Sequence, residues 1–217
     1  ISLGSDHNSN DGNDALSASG TAITAAMTTG SGSDSISLSV ASSVLGNVTL
    51  GSDGDTTNGN TDTLTLNAST ITGNVVTGSG ADGVSVLNTS TITGNVTLGS
   101  NSDSADSGDT LTVTGASTTS KSVVTGSIST GAGADTLTLT NATIGGAGQT
   151  ISLGTDSNSL DGNDALSASG TAITATITGG SGADSLSLSA ASTLSGNINL
   201  GIDGDISTSS NADSLSL

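Results

Sequence analysis

Aspartate is the one side chain in this sequence present in enough copies to do ionic chemistry. The 217 residues carry 19 acidic side chains, all of them aspartate, against a single Lys121, no arginine and a single His7, for a formal net charge of -18. Nine of them, Asp14, Asp34, Asp62, Asp82, Asp109, Asp135, Asp164, Asp184 and Asp213, open the same short pattern, Asp-x-apolar-x. The other ten fall in pairs: Asp6 and Asp11, Asp53 and Asp55, Asp103 and Asp106, Asp156 and Asp161, Asp203 and Asp205. Stacked at a strand spacing of ~4.8 Å, neighbouring carboxylates repel by about 0.9 kcal/mol even at the dielectric of water. One lysine cannot neutralise such a stack. A hard cation with all-oxygen ligands can, and calcium suits the site better than magnesium because it tolerates six to eight oxygens in irregular geometry.

The paired acids make the stronger ligand candidates. Asp6-x-Asn8-x-Asn10-Asp11-Gly12 has the alternating oxygen donors of a calcium loop, without the final Glu of an EF-hand, and its copy carries Leu160 in place of Asn10. For the nine pattern-opening aspartates a second role stands beside metal binding, because an Asp ahead of a strand accepts hydrogen bonds from turn N–H groups. A catalytic role has little support. His7 is replaced by Ser157 in its copy, every Asp is explained by the repeat, and no aromatic platform or arginine accompanies a carboxylate pair of the kind that cleaves sugars. The chain is therefore not expected to be an enzyme.

What must position these residues is a repeat. The nine anchors are spaced 20, 28, 20, 27, 26, 29, 20 and 29 residues apart, a period of about 20 with insertions mostly at every second unit. Apolar residues follow each anchor at fixed offsets: Val84, Val86, Ile92, Val96 and Leu98 after Asp82, and Leu186, Leu188, Leu194, Ile198 and Leu200 after Asp184. Alternation with a period of two is strand patterning, and segments such as DTLTL (62–66) are β-branched. Gly-Asn pairs at 46–47, 73–74, 94–95 and 196–197 are expected to turn corners between short strands, glycine supplying the unusual φ. The fold class is therefore all-β: a parallel β-solenoid of about 20 residues per coil, with longer acidic loops (50–61, 98–108, 200–212) mostly on alternate coils. The stretch 109–150 departs from the pattern around Lys121 and at a GGAG turn, 145–148. Residues 1–25 and 151–175 differ at only three positions, so 1–217 reads as one solenoid segment of a longer tandem array.

Composition excludes several classes. There is no aromatic residue, cysteine or proline, so a thick globular core is out of reach and the interior must be thin. Phosphate binding needs clustered Lys and Arg, which rules out nucleic acid as a partner. No apolar run approaches the ~18 residues of a spanning helix, so membrane insertion of this segment is not expected. The absence of cysteine is compatible with an extracellular or cell-surface setting.

One motif resembles a known family. GGSGADSLS (179–187) fits the Gly-Gly-x-Gly-x-Asp-x-apolar-x nonapeptide of RTX, or haemolysin-type, repeats, and TGSGSDSIS (29–37), TGSGADGVS (77–85) and TGAGADTLT (130–138) match it except at the first glycine. The resemblance implies calcium between successive turns and casts Asp34, Asp82, Asp135 and Asp184 as ligands. RTX nonapeptides run consecutively, whereas here one occurs per pair of coils. The STITGNVTLG…GADTLTL cadence of the whole chain is similar to passenger regions of bacterial autotransporter adhesins and to surface-layer proteins.

The resulting expectation is a structural or adhesive repeat protein of the cell surface or extracellular matrix, a rod or filament rigidified by calcium. Ile1 enters mid-coil and Leu217 stops within a strand, so the chain is expected to continue or to associate with copies of itself, end to end or laterally. The alternative is a solenoid binding module for ice or surface glycans, built on outward Ser/Thr rows such as Thr63/Thr65 and Thr136/Thr138, though Gly83 and serines interrupt the threonines. Asn-x-Ser/Thr triplets at Asn47, Asn67, Asn88, Asn95 and Asn141 permit glycosylation.

Overall fold

The structure is a computed structural model and describes residues 1–4, 12–51, 59–99, 106–154, 161–201 and 212–217. All regular structure among these residues is β, and every strand pairing is parallel. The chain forms the expected parallel β-solenoid. Each coil opens with a strand just after its anchor aspartate, normally five residues long: Ala15–Ser19, Ser35–Ser39, Thr63–Asn67, Gly83–Leu87, Thr110–Thr114, Thr136–Thr140, Ala165–Ser169, Ser185–Ser189 and the shorter Ser214–Ser216. These nine stack in chain order into one sheet, and Ala15, Ser35, Thr63, Gly83, Thr110, Thr136, Ala165, Ser185 and Ser214 share a register position. With ~4.8 Å per rung, nine rungs give a rod about 40 Å long.

Each of the first eight coils then runs through two more columns of strands, represented by Thr70–Ile71 and Val75–Val76 in the Asp62 coil. In the Asp135 and Asp164 coils the two columns are joined by single continuous strands, Ala142–Ser152 and Ala172–Thr178. The GGAG segment is therefore not a turn between separate strands. It lies inside Ala142–Ser152, where the register shifts between Gly145 and Thr150.

The interior explains how a chain without aromatics folds. Inward side chains stack like on like: Ile36, Leu64, Val84, Leu111, Leu137, Leu166 and Leu186 in one row, Val44, Ile71, Ile92, Val124, Ile144 and Ile173 in another. All are at most 1 % exposed and belong to a single continuous core. Aliphatic side chains meet across a narrow space and fill it, each stabilising by roughly 1.5–3 kcal/mol when fully buried.

Polar ladders hold the corners. After the opening strand the chain turns through one left-handed residue (Gly20, Ala68, Asn141, Gly170) or two (Val40–Ala41, Asn88–Thr89, Ala190–Ala191). In the two-residue version a following serine closes the turn. Ser42 and Ser192 donate to the carbonyls of Ser39 and Ser189, both at 2.7 Å, and accept from the Thr21 and Thr171 N–H groups of the preceding coil. At the Gly-Asn corner the side-chain Oδ1 of Asn47, Asn74 and Asn95 accepts from the N–H of Asn74, Asn95 and Ser127, each at 2.9 Å. Contrary to the expectation from sequence, Gly46, Gly73 and Gly94 do not supply an unusual φ there, whereas Gly196 holds φ at 159°. They are needed because the coils touch: a Cβ on Gly94 would lie 2.3 Å from the Gly73 carbonyl oxygen, and one on Gly73 would lie 2.4 Å from that of Gly46. Among the glycines, positive φ is concentrated instead at the third corner, in Gly30, Gly32, Gly78, Gly80, Gly131, Gly133, Gly180 and Gly182.

Candidate functional site

That third corner carries the anchor aspartates. A strand that begins at the residue after the anchor leaves the anchor's own N–H one position short of the ladder, and a buried N–H needs a partner. The carboxylate of the next coil supplies it. Asp14 N–H donates to Asp34 Oδ1, Asp34 to Asp62, Asp62 to Asp82, Asp82 to Asp109, Asp109 to Asp135, Asp135 to Asp164, Asp164 to Asp184 and Asp184 to Asp213, at 2.7–3.0 Å throughout. In return each anchor carbonyl accepts from the first strand residue of the next coil, as Asp109 O does from Thr136 N–H at 2.8 Å. The aspartates thus extend the β ladder by one rung through side chains.

The ladder is buried. Asp34, Asp62, Asp109, Asp135, Asp164 and Asp184 are each 1 % exposed and Asp82 is 3 %. Oδ1 is used as an acceptor, while Oδ2 of Asp14, Asp109 and Asp164 is enclosed without a hydrogen-bond partner. Desolvation of the charged form dominates the electrostatics. Burial pushes the Asp109 carboxyl up to about 10, against the Asp82 N–H bond and with help from the nearby charges of Asp106, Asp82 and Asp135. It pushes Asp164 to about 9, with Asp135, Asp161 and Asp184 adding to the rise, and Asp62 to about 7.

Between these, Asp82 and Asp135 are raised less sharply, Asp135 to about 6. The reason is a buried threonine in their own turns. The Thr77 and Thr130 hydroxyls lie within 2.6 and 2.8 Å of the carbonyls of Leu98 and Leu153 and also beside the Asp82 and Asp135 carboxyls, and the single hydroxyl proton lowers a carboxyl when it is turned toward it rather than toward the carbonyl. The matching position in the intervening coils holds Leu50, Leu98 and Leu153. Polar and apolar neighbours therefore alternate along the ladder. Thr29, Thr77 and Thr130 are the residues that replace the first glycine of the nonapeptide. That departure from the RTX pattern was visible in the sequence; its role beside the carboxyl was not.

Two loop aspartates lie at the same corner. Asp106 Oδ2 accepts from the Ala132 N–H, and Asp161 Oδ2 from the Ser181 N–H, both at 2.9 Å. Each sits in a niche walled by glycine. A Cβ on Gly99 or Gly131 would lie 2.0 or 2.2 Å from an Asp106 carboxylate oxygen, and one on Gly154 or Gly180 would lie 2.1 or 2.2 Å from Asp161 Oδ2.

Of the ligand candidates named from sequence, Asp34, Asp82, Asp135 and Asp184 are rungs of the ladder, and Asp106 and Asp161 flank it. Asp6, Asn8, Asp11, Asp53, Asp55, Asp103, Asp156, Asp203 and Asp205 lie outside the described residues. The anchors Asp14, Asp62, Asp109, Asp164 and Asp213, which the RTX resemblance does not single out as ligands, occupy the same ladder. Among the described residues no group of three or more acidic or histidine side chains is close enough to hold a metal by itself. A cation at this corner would draw on one or two carboxylates together with main-chain oxygens. None of the described helices is long and apolar enough to cross a membrane, there being no helix among the described residues. Comparison with family models, with curated proteins and with solved structures gave no match.

Proposed function

We propose that the chain is a structural repeat segment, a stiff rod of the cell surface or extracellular matrix that works by length and self-association and is stabilised by calcium along its acidic corner. The observation that carries this reading is the constancy of register from Asp14 to Asp213. Nine coils superpose the same residues in the same ladder, and among the described residues the ionisable groups concentrate along one corner, in a stack whose carboxyls accept main-chain N–H groups. Such a molecule offers reach and repetition. Electron microscopy in calcium and in chelator tests it: rods that join end to end or side by side with calcium support the reading, and dispersed rods at high protein concentration in both buffers count against it.

A second reading, a binding face for ice or glycans, draws on one specific column. Ser17, Ser37, Thr65, Ser85, Thr112, Thr138, Ser167, Ser187 and Ser216 share a register position on the outer side of the opening sheet, so a hydroxyl recurs on every coil. The column beside it is broken by Ala15, Gly83 and Ala165. Thermal hysteresis and glycan-array binding, compared between the native chain and Thr112→Val with Thr138→Val, separate this reading from the first.

A further inference from the structure

We propose that the cation sites of the rod are the Asp-x-x-Asp turns of the long-looped coils, Asp106 with Asp109 and Asp161 with Asp164, each binding one calcium-sized divalent ion. This deepens the calcium-stabilised reading above and rests on it. It also differs from what the RTX resemblance implies, since that points to the short glycine turns and to Asp34, Asp82, Asp135 and Asp184.

Three observations carry it. First, Asp109 and Asp164 are 1 % exposed and each keeps one carboxylate oxygen, Oδ2, enclosed without a partner. Oδ2 of the short-turn anchors Asp82 and Asp135 is enclosed as well, but there the Thr77 and Thr130 hydroxyls lie beside the carboxyls. Secondly, a second carboxylate stands three residues upstream, close enough that Asp106 bears electrostatically on Asp109 and Asp161 on Asp164. Thirdly, both upstream carboxylates are fixed by the same construction, an N–H from the next coil (Ala132 or Ser181) and a pair of glycines whose missing side chains make room for them. The construction is repeated about 55 residues apart, with different residues filling it. An Asp-x-x-Asp that ends on an anchor occurs once more at Asp11 and Asp14, although Asp11 lies outside the described residues. In the corresponding short turns the upstream position is Ser31, Ser79, Ala132 or Ser181, so a second carboxylate is missing there. Two carboxylates supply the charge that a hard divalent ion requires, with main-chain carbonyls and water completing a six- to eight-oxygen shell.

The test is calorimetric titration of the full chain with calcium chloride, with magnesium chloride as comparison, on three proteins. In Asp109→Asn with Asp164→Asn, the amide oxygen still accepts the Asp82 and Asp135 N–H groups, so the ladder is kept while the charge is lost. The expected result is two fewer calcium ions bound per chain than in the native protein, or at least a tenfold weakening at two sites. Asp106→Asn with Asp161→Asn, which breaks the other half of each pair, should give the same loss. Asp82→Asn with Asp135→Asn should leave the stoichiometry unchanged. Circular dichroism confirms that each variant retains its β content. Calcium binding that survives both Asp-x-x-Asp variants but falls in the Asp82 and Asp135 variant overturns this assignment and leaves the calcium-stabilised rod standing. No calcium binding by the native chain sinks both.

Discussion

At the scale of single residues, the ladder makes a carboxyl serve as a backbone acceptor, and its charge is incidental to that role. Asp109 shows the consequence. Burial holds it neutral well above pH 7, so asparagine, which keeps an oxygen where Oδ1 accepts from Asp82 N–H at 2.7 Å, should match the metal-free stability of the native chain below about pH 4 and exceed it at pH 7, where only the unfolded native chain gains by ionising this group. Asp109→Ala removes the acceptor and leaves a buried N–H alone, which should cost about 1–3 kcal/mol relative to Asp109→Asn at the same pH. Urea denaturation of the two variants in chelator checks the contrast, and equal stabilities of the two would mean that the carboxyl matters for something other than the hydrogen bond. The buried Thr77 hydroxyl makes a comparable bond to Leu98 O, and Thr77→Val should lose roughly 1 kcal/mol by the same measurement, with Thr77→Ser losing less. The aspartates were legible as a ladder because their spacing follows the coil. The partner of each one was not, since a main-chain N–H of the neighbouring coil leaves no mark in composition. Their lack of positive counter-charge pointed to metal or turn amides, and for Oδ1 the structure shows amides.

At the scale of the coil, two kinds of corner residue look alike in sequence and differ in cause. Gly94 is required by contact, so Gly94→Ala drives a Cβ into the Gly73 carbonyl and should destabilise by about 1–3 kcal/mol. Gly146, where the nearest atoms to an added Cβ are 3.9 Å away, should accept alanine without loss. Val40 is the opposite case. It is 67 % exposed and holds φ at 54°, a left-handed conformation unfavourable for a β-branched residue. Val40→Asn or Val40→Gly should therefore stabilise by about 1 kcal/mol, read as a rise in Tm. Coil length, strand positions and inward rows were all legible, because alternation with a period of two and the recurring Asp-x-apolar start report directly on which face each side chain takes. What could not be read was the nature of the Gly-Asn corner, because a glycine selected for close approach is indistinguishable in sequence from one selected for φ. The continuous strand Ala142–Ser152 was hidden for a related reason, since GGAG carries a turn composition but pairs in a sheet.

At the scale of the whole rod, a buried stack of aspartates links stability to pH in the opposite sense to ordinary paired carboxylates. In the unfolded chain aspartate titrates near ~3.9, whereas the folded carboxyls of Asp62, Asp164 and Asp109 titrate at about 7, 9 and 10. Below about pH 4 both states are protonated and these groups contribute nothing to the pH dependence. Above that, the unfolded chain releases protons that the folded rod retains. Stability must then fall with rising pH, and each group goes on lowering it until the pH passes its folded-state value. Repulsion within a chain of net charge -18 acts in the same direction. The metal-free rod should accordingly have its highest Tm at or below about pH 4 and lose stability progressively through about pH 10. Asp62→Asn should flatten the part of that fall lying between about pH 4 and 7, since it removes the group whose proton is released there. Calcium competes with protons for the same oxygens, so its stabilisation should be small at pH 5 and large at pH 9. Tm measured by circular dichroism at pH 5, 7 and 9, in chelator and in millimolar calcium, tests both limbs together. A chelated rod that gains stability between pH 5 and 9 would falsify the neutral ladder. A calcium increment that does not grow with pH would show that the ion, if bound, is held away from these carboxyls.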